Sequence, residues 1–174
     1  MSANSPMKNE AKNAASMAGV SIRIEAPDQP DVLELLAASD TYHLGLYPPE
    51  SLYLLDPAAL RAPGVTFYVA RIDGVAVGCG AILRRPEGEA EIKRMFVAPA
   101  ARGCGLGRRI LAVLEAEARR SGIGRLRLET GTRQPEAVAL YRAMGYRDVP
   151  PFPGYKDDPL SVFMAKELGG ARRD

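Results

Sequence analysis

Three glycines on alternate positions stand between two arginines in the segment Arg102–Arg108, which reads Arg-Gly-Cys-Gly-Leu-Gly-Arg. Glycine has no Cβ atom, so a ligand can approach the backbone closely at Gly103, Gly105 and Gly107. A helical apolar pattern begins at Leu106, and the free N–H groups and the dipole at a helix start favour an anion. The flanking arginines can add charge-assisted hydrogen bonds to phosphate oxygens. The segment therefore predicts a site for a phosphate-bearing ligand.

Two common phosphate-binding loops do not match this spacing. A P-loop needs Lys followed by Ser or Thr directly after its last glycine, whereas Arg108 and Arg109 follow Gly107. The dinucleotide fingerprint Gly-x-Gly-x-x-Gly fails because Arg108 stands where the third glycine belongs. The choices that remain are a different phosphate cradle and a glycine-rich turn that binds nothing.

Positive charge is concentrated around this segment. The whole chain has 23 basic and 21 acidic side chains and a net charge of +2. Residues 102–127 alone hold seven arginines and only two glutamates. This local excess favours a small polyanion, while the near-neutral total argues against a protein that binds nucleic acid.

The elements that must position the loop are visible as changes in hydrophobic period. Asp73 and Gly74 join two β-branched and aromatic runs, which is the strongest short signal for a β-hairpin. The predicted strands cover Ser21–Glu25, Val65–Ile72, Val75–Leu83, Glu89–Val97, Arg125–Thr130 and Val162–Met164. The predicted helices cover Pro30–Ser39, a proline-broken region at Tyr42–Arg61, Gly105–Arg120 and Pro135–Met144. This order predicts a mixed α/β fold with helices covering a sheet.

Length and composition are typical of one soluble globular domain. The chain has 174 residues, of which 47% are apolar and 25% charged. Its two cysteines, Cys79 and Cys104, do not make a disulfide framework and fit a reducing cytosol. The longest charge-free apolar stretch, residues 74–83, is half the roughly 20 residues that a membrane helix needs.

The domain is expected to span residues 20–168. Residues 1–19 show no apolar period and no apolar stretch of a secretory signal, so they are predicted to be a disordered N-terminal tail. Residues 169–174 are predicted to be a C-terminal tail. The protein is expected to be cytoplasmic and to have no contact with a membrane.

Two segments resemble the signatures of the GNAT superfamily of N-acyltransferases. Residues 95–107 are similar to its acyl-CoA binding segment, whose pattern Arg/Gln-x-x-Gly-x-Gly/Ala falls on Arg102, Gly105 and Gly107. Residues 139–146, Ala-Leu-Tyr-Arg-Ala-Met-Gly-Tyr, resemble its second signature, a helix ending in Leu-Tyr-x-x-x-Gly-Phe/Tyr. The two segments stand in the family's order and are separated by one strand.

The resemblance covers about residues 21–168 and implies the GNAT fold, a mostly antiparallel central sheet flanked by helices. It implies acetyl-CoA as the acetyl donor and no metal. The strand ending at Val97 is expected to diverge from residues 126–130, with the pantetheine arm in the wedge. The residues implied for the cofactor are Met95, Phe96, Val97, Arg102, Gly103, Cys104, Gly105, Leu106, Gly107, Arg108 and Gln134. At Gln134 the sequence departs from the family, in which many members carry Asn.

Attack of an amine on a thioester needs a neutral amine, a stabilised oxyanion and a proton for the departing thiolate. At pH 7 the neutral form of a lysine-type amine costs about 4.6 kcal/mol, and that of an α-amino group only about 1 kcal/mol. A base is therefore most useful to a basic acceptor. By resemblance to the histone-acetylating branch, Glu91 is the candidate base, with Glu89 or a water chain as alternatives. Tyr141 is the candidate acid toward the thiolate.

The predicted function is transfer of the acetyl group of acetyl-CoA to a primary amine of a small molecule or peptide. A non-catalytic acyl-CoA-binding sensor is the alternative, and family habit suggests a homodimer. The acceptor is expected to bind between Tyr42–Leu60 and Asp148–Leu160, where the resemblance is weakest. His43, the only histidine, is predicted to be a packed or exposed residue rather than a catalytic one.

Overall fold

The computed structural model describes residues 19–169. Residues 1–18 of the predicted N-terminal tail and residues 170–174 of the predicted C-terminal tail lie outside the described residues. The strands are β1 (Val20–Ile24), β2 (Val65–Ile72), β3 (Val75–Arg84), β4 (Glu89–Val97), β5 (Arg125–Gly131), β6 (Arg147–Asp148) and β7 (Ser161–Glu167). The α-helices are α1 (Pro30–Leu46), α2 (Leu106–Arg120) and α3 (Pro135–Ala143).

The seven strands form one mixed sheet in the order β1-β2-β3-β4-β5-β7-β6. Neighbouring strands are antiparallel except β4 and β5, which are parallel. The predicted hairpin between β2 and β3 is confirmed, since both Asp73 (φ 48°) and Gly74 (φ 85°) adopt the positive φ that a tight turn requires. The predicted class, a mostly antiparallel sheet flanked by helices, is confirmed.

Helix α2 packs closely against the middle of the sheet. Its apolar face is buried, and two glycines of β3 lie directly beneath it. A Cβ at Gly78 would meet the Ile110 side chain at 2.9 Å, and one at Gly80 would meet Leu114 at 3.0 Å. The glycines therefore allow the close approach that fixes the position of α2 and of its N-terminus. Helix α1 covers the opposite face, where its buried Leu36 belongs to a second apolar cluster with strand residues such as Phe67.

One helical prediction was wrong. The region Tyr42–Arg61 was expected to form a separate, broken helix, but α1 continues through Tyr42 to Leu46. The helix ends at Leu46, and Tyr47 is extended, because Pro48 follows and disfavours helical geometry in the residue before it. The rest of the region is loop with two 3₁₀ turns, Pro49–Ser51 and Ala59–Arg61.

The end of β4 separates from β5. The two strands pair over only four positions, the last of which joins Ile92 to Leu128, although both strands continue further. Arg94 has a positive φ of 57°, and the β3–β4 register shifts at the same place, as in a β-bulge. The predicted divergence of the two strands is therefore confirmed, and it opens a wedge that begins at Lys93.

Candidate functional site

The wedge joins two cavities. The larger has a volume of about 490 Å³ and lies between the end of β4, the glycine loop and α3. It is lined by every residue predicted for the cofactor except Cys104, namely Met95, Phe96, Val97, Arg102, Gly103, Gly105, Leu106, Gly107, Arg108 and Gln134. The fold therefore brings nearly all of the residues predicted for the cofactor into the wall of one cavity.

The glycine loop has the geometry of an anion cradle. Gly103 (φ 79°) and Gly105 (φ 81°) both adopt the left-handed conformation, and no atom lies within 4 Å of where their Cβ atoms would stand. The first intrahelical bond of α2 runs from the Arg109 N–H to the Gly105 carbonyl at 3.2 Å. The N–H groups of the first turn, from Leu106 to Arg108, are thus not used within the helix. Open space above unused donors fits the diphosphate of a coenzyme.

Four of the predicted cofactor residues have further roles that the sequence did not indicate. The Arg102 guanidinium donates to the Val97 carbonyl at 2.9 Å and lies 4.7 Å from the Tyr42 ring centroid. The Leu106 side chain is buried in the core, so only its backbone can serve a ligand. The Cys104 thiol points to the Ala101 carbonyl at 3.1 Å. Gln134 is the residue that precedes α3, and it lines both cavities.

The smaller cavity, about 90 Å³, lies at the mouth of the wedge on the side predicted for the acceptor. Strands β4 and β5 and helix α3 contribute three charged groups and one phenol: Lys93, Arg94, Glu129 and Tyr141. Its outer wall comes from the end of α1 and the following loop: His43, Tyr47, Ser51, Leu52, Tyr53 and Leu54. Leu160, from the loop before β7, closes it. The two cavities share four residues, Met95, Gln134, Ala137 and Tyr141.

Tyr141 stands at the junction of the two cavities. Its side chain is only 6% exposed and packs edge-on against Tyr146, with ring centroids 5.9 Å apart. Burial raises the pKa of the Tyr141 phenol above its ordinary value, and the nearby Glu129 carboxylate raises it further. The hydroxyl therefore keeps its proton at neutral pH and can donate it to a group that arrives from either cavity.

Glu91, the base expected from the sequence, lies beneath the smaller cavity rather than in its wall. It is 0% exposed, and one of its oxygens accepts two hydrogen bonds from Arg85, at 2.7 and 3.1 Å. Its other oxygen accepts a hydrogen bond from the Tyr155 hydroxyl and lies 3.4 Å from the Lys93 ammonium. Burial raises the pKa of the Glu91 carboxyl, but these partners outweigh burial and hold the pKa below its usual value.

Glu129 is the functional candidate that the sequence reasoning missed. It lies on β5 in the wall of the smaller cavity, and the Ser161 hydroxyl donates to it at 2.8 Å. Burial raises the pKa of Glu129 to about 7, although Ser161 and Lys93 oppose the rise. A carboxyl group that titrates near neutral pH is suited to accept a proton from an amine. The available signal was that Glu129 is the one acid in the predicted strand Arg125–Thr130.

His43 also lines the smaller cavity. Its Nδ1 atom lies 2.7 Å from the Ser39 carbonyl, one helical turn earlier, and its ring meets Tyr42 edge-on. Burial lowers the pKa of the His43 imidazole, so it is neutral at pH 7. The sequence predicted a packed or exposed loop residue, whereas His43 is a half-buried residue of α1 that forms part of the cavity wall.

Residues 19–169 contain neither a cluster of metal-ligating side chains nor a helix that could cross a membrane. No three His, Cys, Asp or Glu side chains in this range are grouped so that they could hold a metal ion. Over the same residues, no helix combines the length and the apolar character needed to cross a membrane.

Comparisons with known proteins agree with this geometry. Residues 30–146 match the family model described as the acetyltransferase (GNAT) family. An IAA acetyltransferase of Azospirillum brasilense is 49% identical over 87% of this chain and 100% of its own length. A solved structure from Klebsiella pneumoniae, described as an acyl-CoA N-acyltransferase, is 41% identical with a TM-score of 0.73, covering 86% of this chain and 98% of that one.

A more distant structure has the same fold. The PaiA N-acetyltransferase of Thermoplasma acidophilum, solved in complex with coenzyme A, has a TM-score of 0.68 at 17% identity. The match covers 85% of this chain and 98% of that one. At this identity the likeness concerns the fold alone.

Proposed function

The chain belongs to the acetyltransferase (GNAT) family and is an acyltransferase that uses acetyl-CoA, and we propose that its acceptor is a primary amine bound in the smaller cavity. The observation that carries the proposal is the junction of the two cavities at Met95, Gln134, Ala137 and Tyr141. The thioester of acetyl-CoA would lie at this junction, with the rest of the coenzyme in the larger cavity and the amine in the smaller one.

The larger cavity holds the donor in this proposal. The backbone N–H groups of the glycine loop and the first turn of α2 bind the diphosphate, with Arg108 beside them. The backbone of Met95–Val97 pairs with β3 on one side and diverges from β5 on the other, and on the side toward β5 it offers polar groups to the pantetheine arm. A backbone N–H near Val97 stabilises the oxyanion of the tetrahedral intermediate.

The transfer requires two proton movements. The amine nitrogen attacks the thioester carbonyl carbon, and its excess proton passes to the Glu129 carboxylate, directly or through one water molecule. The carbon–sulfur bond then breaks, and the Tyr141 hydroxyl donates its proton to the departing sulfur. The products are the N-acetylated amine and coenzyme A. Proton exchange with water restores Glu129 and Tyr141 for the next cycle.

We prefer Glu129 to Glu91 and Glu89 as the base, because a base must reach the amine and must bind its proton near working pH. Glu129 lines the cavity and its pKa is raised to about 7. Glu91 is covered, ion-paired and has a lowered pKa. Glu89 is paired with Arg125 and Arg127, both at 3.1 Å. The two expected bases therefore serve better as partners for arginines than as acceptors of a proton.

Thiol release tests the proposal. The protein is mixed with acetyl-CoA and a panel of amines and peptides, free coenzyme A is measured with a thiol reagent, and products are weighed by mass spectrometry. The expected result is stoichiometric release of thiol with a product heavier by one acetyl group. Tight binding of acetyl-CoA without turnover of any amine would instead support the non-catalytic sensor.

We also propose that residues 20–168 form the catalytic domain of a cytoplasmic homodimer. Both cysteines, Cys79 and Cys104, are free thiols, as is usual in a reducing compartment. Exposed apolar side chains at Ile24 and Val75 offer surface for a partner copy. Sedimentation equilibrium measures the mass in solution, and a monomer at all concentrations would contradict the dimer.

A further inference from the structure

Charged residues on one face of β4 and β5 stand opposite each other in successive pairs, called rungs below, and the last pair lies in the wall of the smaller cavity. Strands β4 and β5 run parallel, so residues paired in register point to the same face. On that face the successive pairs are Glu89 with Arg125, Glu91 with Arg127 and, one step past the last hydrogen-bonded pair, Lys93 with Glu129. The first two rungs place the acid on β4, whereas the last rung reverses the signs and faces the cavity.

The first two rungs are neutralised within the protein. Glu89 pairs with the guanidinium groups of Arg125 and Arg127. Glu91 is bound by Arg85 at 2.7 Å, and Arg127 lies 4.0 Å away. These pairs form a partly buried polar layer in which each carboxylate is bound by a guanidinium group, and the loop before β7 contacts the layer through Tyr155 at Glu91 and Phe152 at Arg127.

The last rung is different, because its two charges do not pair with each other. The Lys93 ammonium lies 3.4 Å from Glu91 and 2.9 Å from the Tyr155 hydroxyl, and it makes no ion pair with Glu129 within 4 Å. Glu91 is shared with Arg85, which holds it at a shorter distance. Lys93 is thus a cation only 9% exposed at the cavity wall whose nearest carboxylate is already occupied.

We propose that the acceptor is a small zwitterion, a free α-amino acid or a close analogue, whose carboxylate is bound by Lys93 and whose amine is bound by Glu129. This inference rests on the proposed function and specifies its acceptor. Neighbouring strands lie about 4.8 Å apart, and the wedge widens this distance slightly. The amine and carboxylate of an α-amino acid are carried on one carbon, so a single small molecule can reach both charges.

The rest of the cavity agrees with a small acceptor. Its volume of about 90 Å³ is closed on the outside by Leu52, Leu54 and Leu160, with the Tyr53 ring beside them. These apolar side chains provide a surface for an amino-acid side chain, and the remaining charged group of the wall, Arg94, is paired with Asp40. The cavity also disfavours a diamine, because the Lys93 ammonium would repel the second ammonium group of such a molecule.

A comparison of acids with their amides tests the inference. Alanine, leucine and phenylalanine are each assayed against the corresponding carboxamide and the corresponding amine that lacks the carboxyl group, and kcat/KM is obtained from thiol release. The amide and the amine each lose one charge-assisted hydrogen bond to Lys93. We therefore expect kcat/KM for the best acid to exceed that for its amide and its amine by roughly 10- to 100-fold. The amide has the less basic amine and so a larger neutral fraction at pH 7, a bias that works against the prediction.

Variants connect the preference to Lys93. In Lys93→Met the preference for acid over amide is expected to disappear, while Lys93→Arg keeps it. Lys156→Met is the matched control, because this exposed lysine of the loop before β7 lies outside both cavities. If Lys93→Met fails to fold, the wild-type ratio of acid to amide decides alone.

The outcomes separate the inference from the function on which it rests. Turnover of other amines with no preference for the acids would overturn the inference that the acceptor is a zwitterion. An unchanged preference for acid over amide in folded Lys93→Met would do the same. No thiol release with any amine in the wider panel overturns the proposed function itself.

Discussion

Glu91 and Glu129 lie one rung apart on the same face of β4 and β5, yet their surroundings move the pKa values of their carboxyl groups in opposite directions. Glu91 is fully buried and bound by Arg85, whereas Glu129 is half-buried and accepts a hydrogen bond from the neutral Ser161 hydroxyl. The pKa of Glu91 lies below its ordinary value, and burial raises the pKa of Glu129 to about 7. Two carboxylates with separated pKa values can take separate roles, one structural and one in proton transfer.

Tyr141→Phe tests the acid. Removal of the hydroxyl takes away the proposed donor to sulfur and leaves the ring packing intact, so kcat is expected to fall by about 10²- to 10⁴-fold with little change in the Kd of acetyl-CoA. Tyr146→Phe is the matched control, because Tyr146 is also a buried tyrosine but lies outside both cavities. Steady-state kinetics and calorimetry give the two quantities. Equal kcat values for Tyr141→Phe and the wild type would remove Tyr141 from the mechanism.

Glu129→Gln tests the base through the pH profile. The carboxylate must be free of its proton to act, so wild-type kcat/KM is expected to rise as the pH passes upward through about 7, the raised pKa of Glu129. Gln cannot titrate, so the variant should lose this limb and keep only the titration of the acceptor amine. Its kcat at pH 8 should fall by about 10²-fold or more. A limb that survives unchanged in the variant belongs to another group.

Glu91→Gln tests the structural role of the buried acid. Because the folded-state pKa of Glu91 is lowered, its ionisation stabilises the fold above the ordinary glutamate pKa, about 4.3, and this contribution is lost as the pH falls below that value. Replacement at pH 7 leaves buried cations without their partner and is expected to lower the free energy of unfolding by about 3–5 kcal/mol. Urea denaturation at pH 7 and pH 4 measures both effects.

The control for this change is Glu89→Gln, since Glu89 is less buried and should cost less stability. If Glu91→Gln instead keeps its stability and loses the limb near pH 7, Glu91 is the base, as the sequence resemblance had led us to expect.

Gly105→Ala tests the anion cradle. Alanine in a left-handed conformation costs about 1–2 kcal/mol, and relief of that strain would move the N–H groups at the start of α2. We expect a loss of stability and a drop of about tenfold in affinity for coenzyme A. Gly122→Ala carries a similar strain at φ 72°, beyond the other end of α2 and outside both cavities, and should lose stability alone. Equal affinity of the two variants for coenzyme A would contradict the cradle.

The sequence predicted those features that depend on local chemistry. Asp73 and Gly74 form the expected turn because only a few residue types accept positive φ at adjacent positions. The glycine loop was found for the same reason. The end of α1 was misplaced, because the prolines at positions 48 and 49 stop a helix but do not exclude one before them.

The site was predicted less completely, because its chemistry depends on contacts between distant segments. In the sequence, Glu129 continues an alternating strand and looks like a solvated acid; its raised pKa comes from burial in the wall that Leu160 and Tyr53 complete. Glu91 was placed on the correct strand. Its contact with Tyr155, 64 positions away, is one of the reasons why we propose a structural role for Glu91, and the periodicity of the sequence does not predict that contact.

The short parallel pairing of β4 and β5 divides the sheet into two blocks, β1–β4 and β5–β7, joined by four residue pairs and by the packing of the helices. A coenzyme arm lying between the diverging strands would hydrogen-bond to the edge of the first block and contact the second. Its binding energy would then oppose separation of the two blocks. The donor molecule would raise the melting temperature of its own enzyme, by an amount set by its concentration relative to its Kd.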